Sequence, residues 1–110
     1  MPSHYESFIG MMHVITKKRL RDFWKKHPDA EEPLNRWFRL TSKANSSSLI
    51  DTKNDFPHAD LAGICTIFNL GGNKYRLVTK IYYPGRKVIV RFVMTHAEYS
   101  KGSYKDDCEC

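Results

Sequence analysis

From Cys65 to Met94 the sequence alternates apolar and polar side chains, and the alternation is broken twice, at Gly71-Gly72-Asn73 and at Pro84-Gly85. A period of two belongs to a strand whose two faces meet different environments. Both breaks are turn chemistry, because glycine and asparagine tolerate positive φ and Pro-Gly favours a reverse turn. The pattern predicts strands over 65–70, 74–83 and 87–94, joined as an antiparallel meander. A meander of this size needs a second layer to cover its apolar face, and the rest of the chain has to supply it.

The first third supplies helices. Met12 to Ile15 reads as a short strand, and Thr16 is placed to cap a helix in which Leu20, Phe23 and Trp24 share one face and six Lys/Arg between Lys17 and Lys26 take the other. His27-Pro28 stops that run. A second helix is predicted from Asp29, with Pro33 in its first turn and an apolar stripe of Leu34, Trp37, Phe38 and Leu40. Thr41 to Asp60 is rich in Ser, Asn and Asp and reads as a connecting loop with a turn at Leu49-Ile50. The expected fold is α+β, two N-terminal helices packed on a twisted antiparallel sheet. At 110 residues this is one domain, placed at 12–101, with an N-terminal extension at 1–11 and a C-terminal tail at 102–110.

Strand parity divides the middle strand into two faces. Tyr75, Leu77, Thr79, Ile81 and Tyr83 point one way; Lys74, Arg76, Val78, Lys80 and Tyr82 point the other. With a two-residue turn at Pro84-Gly85, Tyr83 opposes Arg86, Ile81 opposes Val88, Lys80 opposes Ile89, Val78 opposes Arg91, Leu77 opposes Phe92 and Arg76 opposes Val93. This gathers Arg76, Lys80, Lys87 and Arg91 on the face away from the helices, with Tyr82 its only aromatic. Opposed like charges cost roughly 0.2–1 kcal/mol per pair, so a polyanion resting there accounts for them; an ordinary solvated sheet face is the plain alternative.

Charge distribution points the same way. The formal net charge is +6, and residues 61–105 hold eight Lys/Arg against one acid, Glu98, while the first 60 residues mix ten Lys/Arg with eight acids. Three cysteines, Cys65, Cys108 and Cys110, do not suggest a disulfide framework, and a reducing compartment, the cytoplasm, is expected. No apolar stretch approaches the roughly 20 residues that span a bilayer, and no signal peptide is expected.

After the last strand, Thr95-His96-Ala97-Glu98 has the spacing of a capping box. It would fix His96 at the start of a short helical turn beside the cationic face, with Tyr99 one turn on. Nucleophile elbows, phosphate loops and metal-ligand spacings are absent from the sequence, so neither a metal nor another cofactor is expected.

The segments "MHVITKKRLRDFWKKHP", "FNLGGNKYRLV" and "VRFVMTHAEY" closely resemble the HigB family of bacterial toxins, over about residues 12–101. HigB toxins are similar to RelE in fold. The resemblance implies a ribosome-associated endoribonuclease that cuts translated mRNA and is neutralised by a HigA-type helix-turn-helix antitoxin. Arg76 matches the arginine that follows the hairpin in this family, and His96 and Tyr99 match its C-terminal motif. Asn69 stands where RelE has a lysine, which removes one cation from the expected site. Residues 1–11 and "KDDCEC" lie outside the resemblance.

For cleavage without a metal, the ribose 2′-OH attacks the adjacent phosphate. His96 is then the expected base or acid, Arg76 the phosphate clamp, and Lys80, Arg91 and Tyr99 its support. Asn69, Asn73, Lys74, Arg86, Lys87 and the helical Lys17, Lys18, Arg21, Lys25 and Lys26 are the expected RNA contacts. The alternatives are a non-catalytic RNA- or ribosome-binding module on the same face, and an inactive antitoxin-binding relic; a DNA-binding repressor fits least.

Overall fold

The structure is a computed structural model and describes residues 12–44 and 49–110, with the side chains of residues 49 and 50 excepted. The extension at 1–11 lies outside the described residues.

Strand β1 (His13–Ile15) leads into helix α1 (Lys18–Lys26), a 3₁₀ turn (Pro28–Ala30) and helix α2 (Glu31–Lys43). Helix α3 (Leu49–Asp55) and strand β2 (Asp60–Ala62) follow, then β3 (Cys65–Leu70), β4 (Tyr75–Tyr82) and β5 (Lys87–Thr95), and two short helices, α4 (His96–Ser100) and α5 (Lys105–Cys108). Among the described residues five strands form one sheet in the order β1-β5-β4-β3-β2. All pairs are antiparallel except β1 on β5, which is parallel. The α+β expectation and the three-strand meander are both met.

The helices cover the sheet face that parity assigned to them. Leu20, Leu34 and Trp37 are buried against Phe68, Tyr75, Leu77, Val88 and Val90 in one cluster. Trp37 meets Phe68 edge-on with ring centroids 5.5 Å apart. Each fully buried aliphatic side chain here contributes about 1.5–3 kcal/mol over an exposed one.

Three local expectations are corrected. Thr16 does not cap α1: its backbone swings to φ 70° to turn the chain out of β1, and Lys17 precedes the helix with no side-chain cap. Part of the expected loop at 41–60 is helical, in α3. Its Ser/Asn/Asp composition reads as loop, yet Phe56 and Ala59 just beyond it reach the core, and the hydroxyls of Thr52 and Tyr83 hydrogen-bond at 2.9 Å. Finally, Cys65 and Cys108 are joined by a disulfide. Their separation of 43 residues hides the pairing from the sequence, because only the return of the C-terminus across β3 brings the two together.

A fourth correction changes the site. From Tyr82↔Lys87 to Thr79↔Val90 the β4–β5 register is the expected one, but between Val78 and Thr79 it shifts, and Val78 opposes Phe92 rather than Arg91. Arg91 is the extra residue of a β-bulge, and a one-residue slip moves every later side chain to the other face. Leu77 therefore faces Val93 and Arg76 faces Met94, so Phe92 and Met94 turn toward the second face and Val93 turns to the helices.

Candidate functional site

The second face of the sheet is not open, as the sequence led us to expect. Cys65, Ile67, Val78 and Met94 on that face form a small buried cluster with Tyr104 and Cys108 of the C-terminal tail, and Ala62, Phe92 and Tyr99 pack around it. The tail is held at several points. The Cys65–Cys108 disulfide is one, and the backbone N–H of Ile64, which donates to the Cys108 carbonyl at 2.8 Å, is another. Gly63 makes this approach possible: it sits at φ 60°, and a Cβ there would collide with the Cys108 carbonyl oxygen.

Arg76 is only 8% exposed. Its Nη1 donates to the carbonyls of Asn73 (3.1 Å) and Tyr75 (3.3 Å), and its guanidinium lies 5.3 Å from the centroid of the Tyr99 ring. Asn73 adopts φ 78° in the β3–β4 turn, which the Gly-Gly-Asn sequence anticipated. Asn69 faces Arg76 across the β3–β4 ladder. Tyr99 stacks on Tyr104 with centroids 4.5 Å apart and planes 9° from parallel. Burial, followed by the hydrogen bond with Tyr104, pushes the Tyr99 phenol up to about 12, with Arg76 acting in the opposite direction.

Lys80 and Arg91 do come together, but around an acid. Asp107 accepts from Arg91 Nε at 2.8 Å and from Nη2 at 2.9 Å, and lies 3.6 Å from Lys80 Nζ. The Arg91 hydrogen bonds, outweighing burial, hold the Asp107 carboxyl below the usual carboxylate range. The cations expected to repel one another are thus partly neutralised from within the chain. Asp106, Asp107 and Glu109 follow directly on the acid-poor stretch of the sequence, and that run of acids is the signal that marks the tail as a partner for the basic face.

The capping box forms as expected: Thr95 Oγ1 accepts from the Glu98 N–H at 3.1 Å, and the Glu98 carboxylate accepts from the Thr95 N–H at 2.9 Å. It places His96 at the hairpin edge, exposed, with its N–H donating to the Lys74 carbonyl at 2.8 Å and its Nδ1 3.4 Å from Ser100 Oγ. Lys74 itself pairs with Asp29 at 3.4 Å, and the Tyr75 hydroxyl donates to the same carboxylate. His27, which the sequence did not single out, stacks on Phe23 at 4.5 Å and meets Tyr75 edge-on.

The remaining expected contacts are scattered. Arg86 and Lys87 lie at the far end of the β4–β5 ladder from His96; the ladder runs seven residue steps along β4, from Tyr75 to Tyr82, or about 23 Å at ~3.3 Å per residue. Lys17 lies over the Phe38 ring at 4.2 Å, Lys18 pairs with Asp22 at 2.9 Å, and Arg21 and Lys25 are exposed on α1.

A groove of about 570 Å³ lies where α1 meets the free half of β5, beyond the last β1 pair at Ile15↔Ile89. Arg19, Lys26, Arg91 and Lys101 supply four cations to it against Asp22 and Glu98, and Phe23, Phe92, Val93 and Met94 give it an apolar floor. Among the sequence-predicted residues only Lys26 and Arg91 line it. Phe92 lines it too, and because the bulge turns Phe92 to the second face, Tyr82 is no longer the sole aromatic there. Cys65, Asp107 and Cys108 bring ligand atoms within 4.8 Å of one another, but the two sulfurs are bonded to each other. Among the described residues no helix is long and apolar enough to cross a membrane.

An antiparallel meander with a helix pair on one face is the α+β arrangement that the resemblance to RelE implied. The family model described as "HigB_toxin, RelE-like toxic component of a toxin-antitoxin system" matches residues 30–102. The chain belongs to the HigB toxin family. It is 33% identical over 91 residues to the mRNA interferase toxin HigB of Escherichia coli K12, covering 80% of this chain and 88% of that protein. The mRNA interferase HigB of Shigella flexneri is also 33% identical over 91 residues, with the same coverage. That of Escherichia coli O6:H1 is 25% identical over 93 residues, 82% of this chain and 90% of the relative.

Proposed function

We propose that this HigB-family toxin is an endoribonuclease that cuts mRNA engaged by the ribosome, in the cytoplasm, and that a HigA-type helix-turn-helix antitoxin holds it in check. The observation that carries the nucleic-acid reading is the groove beside α1, in which four cations surround an apolar floor. Phosphates suit the cations, and a base suits the exposed side of Phe92.

Cleavage needs no protein nucleophile. The 2′-OH attacks the neighbouring phosphorus, a base takes its proton, an acid protonates the departing 5′ oxygen, and cations balance the charge that gathers on the equatorial oxygens. In this reading His96, exposed at the hairpin edge, exchanges the proton. Arg76 clamps the phosphate: its Nη1 is occupied by the hairpin carbonyls, which fixes the plane of the fork and directs the remaining donors. Tyr99 packs on that plane. Lys80 and Arg91 add charge, and Lys26 with the rest of the groove holds the backbone.

The test is to add the chain to a bacterial translation extract and map mRNA 5′ ends, with Arg76→Ala in parallel and naked mRNA as a further lane. New ends with the wild type and ribosomes only are the expected result. Ribosome binding without new ends would favour the non-catalytic module, a reading to which Phe92 in the groove lends an aromatic platform.

A further inference from the structure

We infer that the C-terminal segment from Ser103 to Cys108 is an autoinhibitory strap, latched by the Cys65–Cys108 disulfide, that occupies the anion site of the second sheet face until a thiol reductant releases it. The inference rests on the RNA-cleaving reading for the identity of the ligand displaced. Its evidence is the geometry of the tail.

Asp107 offers Arg91 two carboxylate oxygens at 2.8 and 2.9 Å and reaches Lys80 at 3.6 Å. A phosphate would use the same fork and the same ammonium. With Asp107 in place, the Lys80 and Arg91 side chains are 20% and 34% exposed. Arg76 is covered as well, through Tyr99 and the Tyr104 ring stacked on it. The three cations assigned to the reacting phosphate are therefore all beneath one short segment. That segment, Ser103 to Cys108, lies beyond the family match, which ends at residue 102.

The latch sits beside the carboxylate it secures: Cys108 follows Asp107 directly, and both sulfurs are buried at 0% residue exposure. Disulfides are uncommon where mRNA is translated, and those that form there are mostly transient or redox-sensing. Opening it is a two-electron exchange: a dithiol reductant gives two electrons and two protons to the Cys65–Cys108 bond, leaving two protein thiols and the reductant as its cyclic disulfide. The tail is then held without a covalent tie, by the Asp107 pairs with Arg91 and Lys80, the Ile64 hydrogen bond to the Cys108 carbonyl, four residues of helix and a small apolar cluster.

The experiment measures binding of a fluorescent single-stranded RNA, 2′-O-methylated throughout so that it cannot be cut, to the full chain with its disulfide intact and after reduction with dithiothreitol. Hydrogen exchange of residues 103–108 is followed in parallel. Tighter binding after reduction, by about tenfold, with a steeper salt dependence and loss of protection in the tail, is expected. Asp107→Asn with the disulfide intact should recover part of that gain. Equal affinity in both redox states, or tighter binding when oxidised, overturns the strap while leaving the groove as an RNA site. If reduction unfolds the sheet, Asp107→Asn in the oxidised chain decides, and no gain in affinity overturns it. Release of the tail with no RNA bound in either state overturns the anion site assigned to the strap, while the translation-extract cleavage assay decides the RNA-cleaving reading separately.

Discussion

The guanidinium of Arg76 lies over the ring of Tyr99, 5.3 Å from its centroid, and nothing in the linear order of β4 and α4 requires that approach. It arises because the capping box turns the chain sharply at the end of β5. Arg76 is held from below by two hairpin carbonyls and from above by an aromatic face, an arrangement that fixes a cation's orientation rather than merely its charge.

Arg76→Ala should lower mRNA cleavage by about 10²-fold or more, the usual effect of removing one charge-stabilising donor. Arg76→Lys should recover little, because a lysine keeps the charge without the fork. Mapped 5′ ends in a translation extract give the measurement, and unchanged cleavage in both variants would remove Arg76 from the site.

His96→Gln keeps the backbone bond to Lys74 and the capping box but cannot exchange a proton. Cleavage should fall by about 10²-fold or more, in the range of general acid–base contributions, with RNA affinity unchanged. Full activity would reduce His96 to a turn residue.

Lys26→Ala, in the groove, should weaken RNA association and reduce the salt slope by about one charge while leaving the cleavage step intact. Lys87→Ala, at the distant end of the ladder, should change neither. Titrations at several salt concentrations separate the two.

Acid should loosen the tail. The folded-state value of Asp107 is depressed, chiefly by its hydrogen bonds from Arg91. Its contribution is therefore complete above the ordinary carboxylate range, near 3.9, and is lost as the pH falls below that through the lower folded value. Asp29 and Asp22 are depressed too, by Tyr75 and Lys18, so the acid limb of wild-type unfolding has several contributors. Asp107→Asn should remove one of them, seen as reduced pH dependence of amide exchange at residues 103–108 below pH ~4.

Gly63→Ala should destabilise the fold by about 1–3 kcal/mol, since alanine is strained at positive φ and its Cβ meets the Cys108 carbonyl oxygen. Thermal unfolding of the oxidised chain measures it. If the tail is first reduced and released, the loss should shrink to the strain alone.

The sequence by itself determined the meander, its two turns, the helical layer and the helix-facing residues of β4. These follow from local periodicity and from residues such as Asn73 whose backbone preferences act where they stand. The Thr95–Glu98 box was equally legible, because its partners are three residues apart. Arg76, His96 and Tyr99 could be singled out, but not how they would be arranged.

Only the tertiary structure decided what lies over the second face. A single bulge residue, Arg91, shifts the β5 register and exchanges Phe92 for Val93, and alternation cannot reveal it because both are apolar. Asp107 and Cys108 act on residues 16 to 43 positions away, at a distance where no local propensity operates. Closing that loop is a property of the whole fold, and it converts an apparently bare cationic sheet into one that carries its own counter-ion.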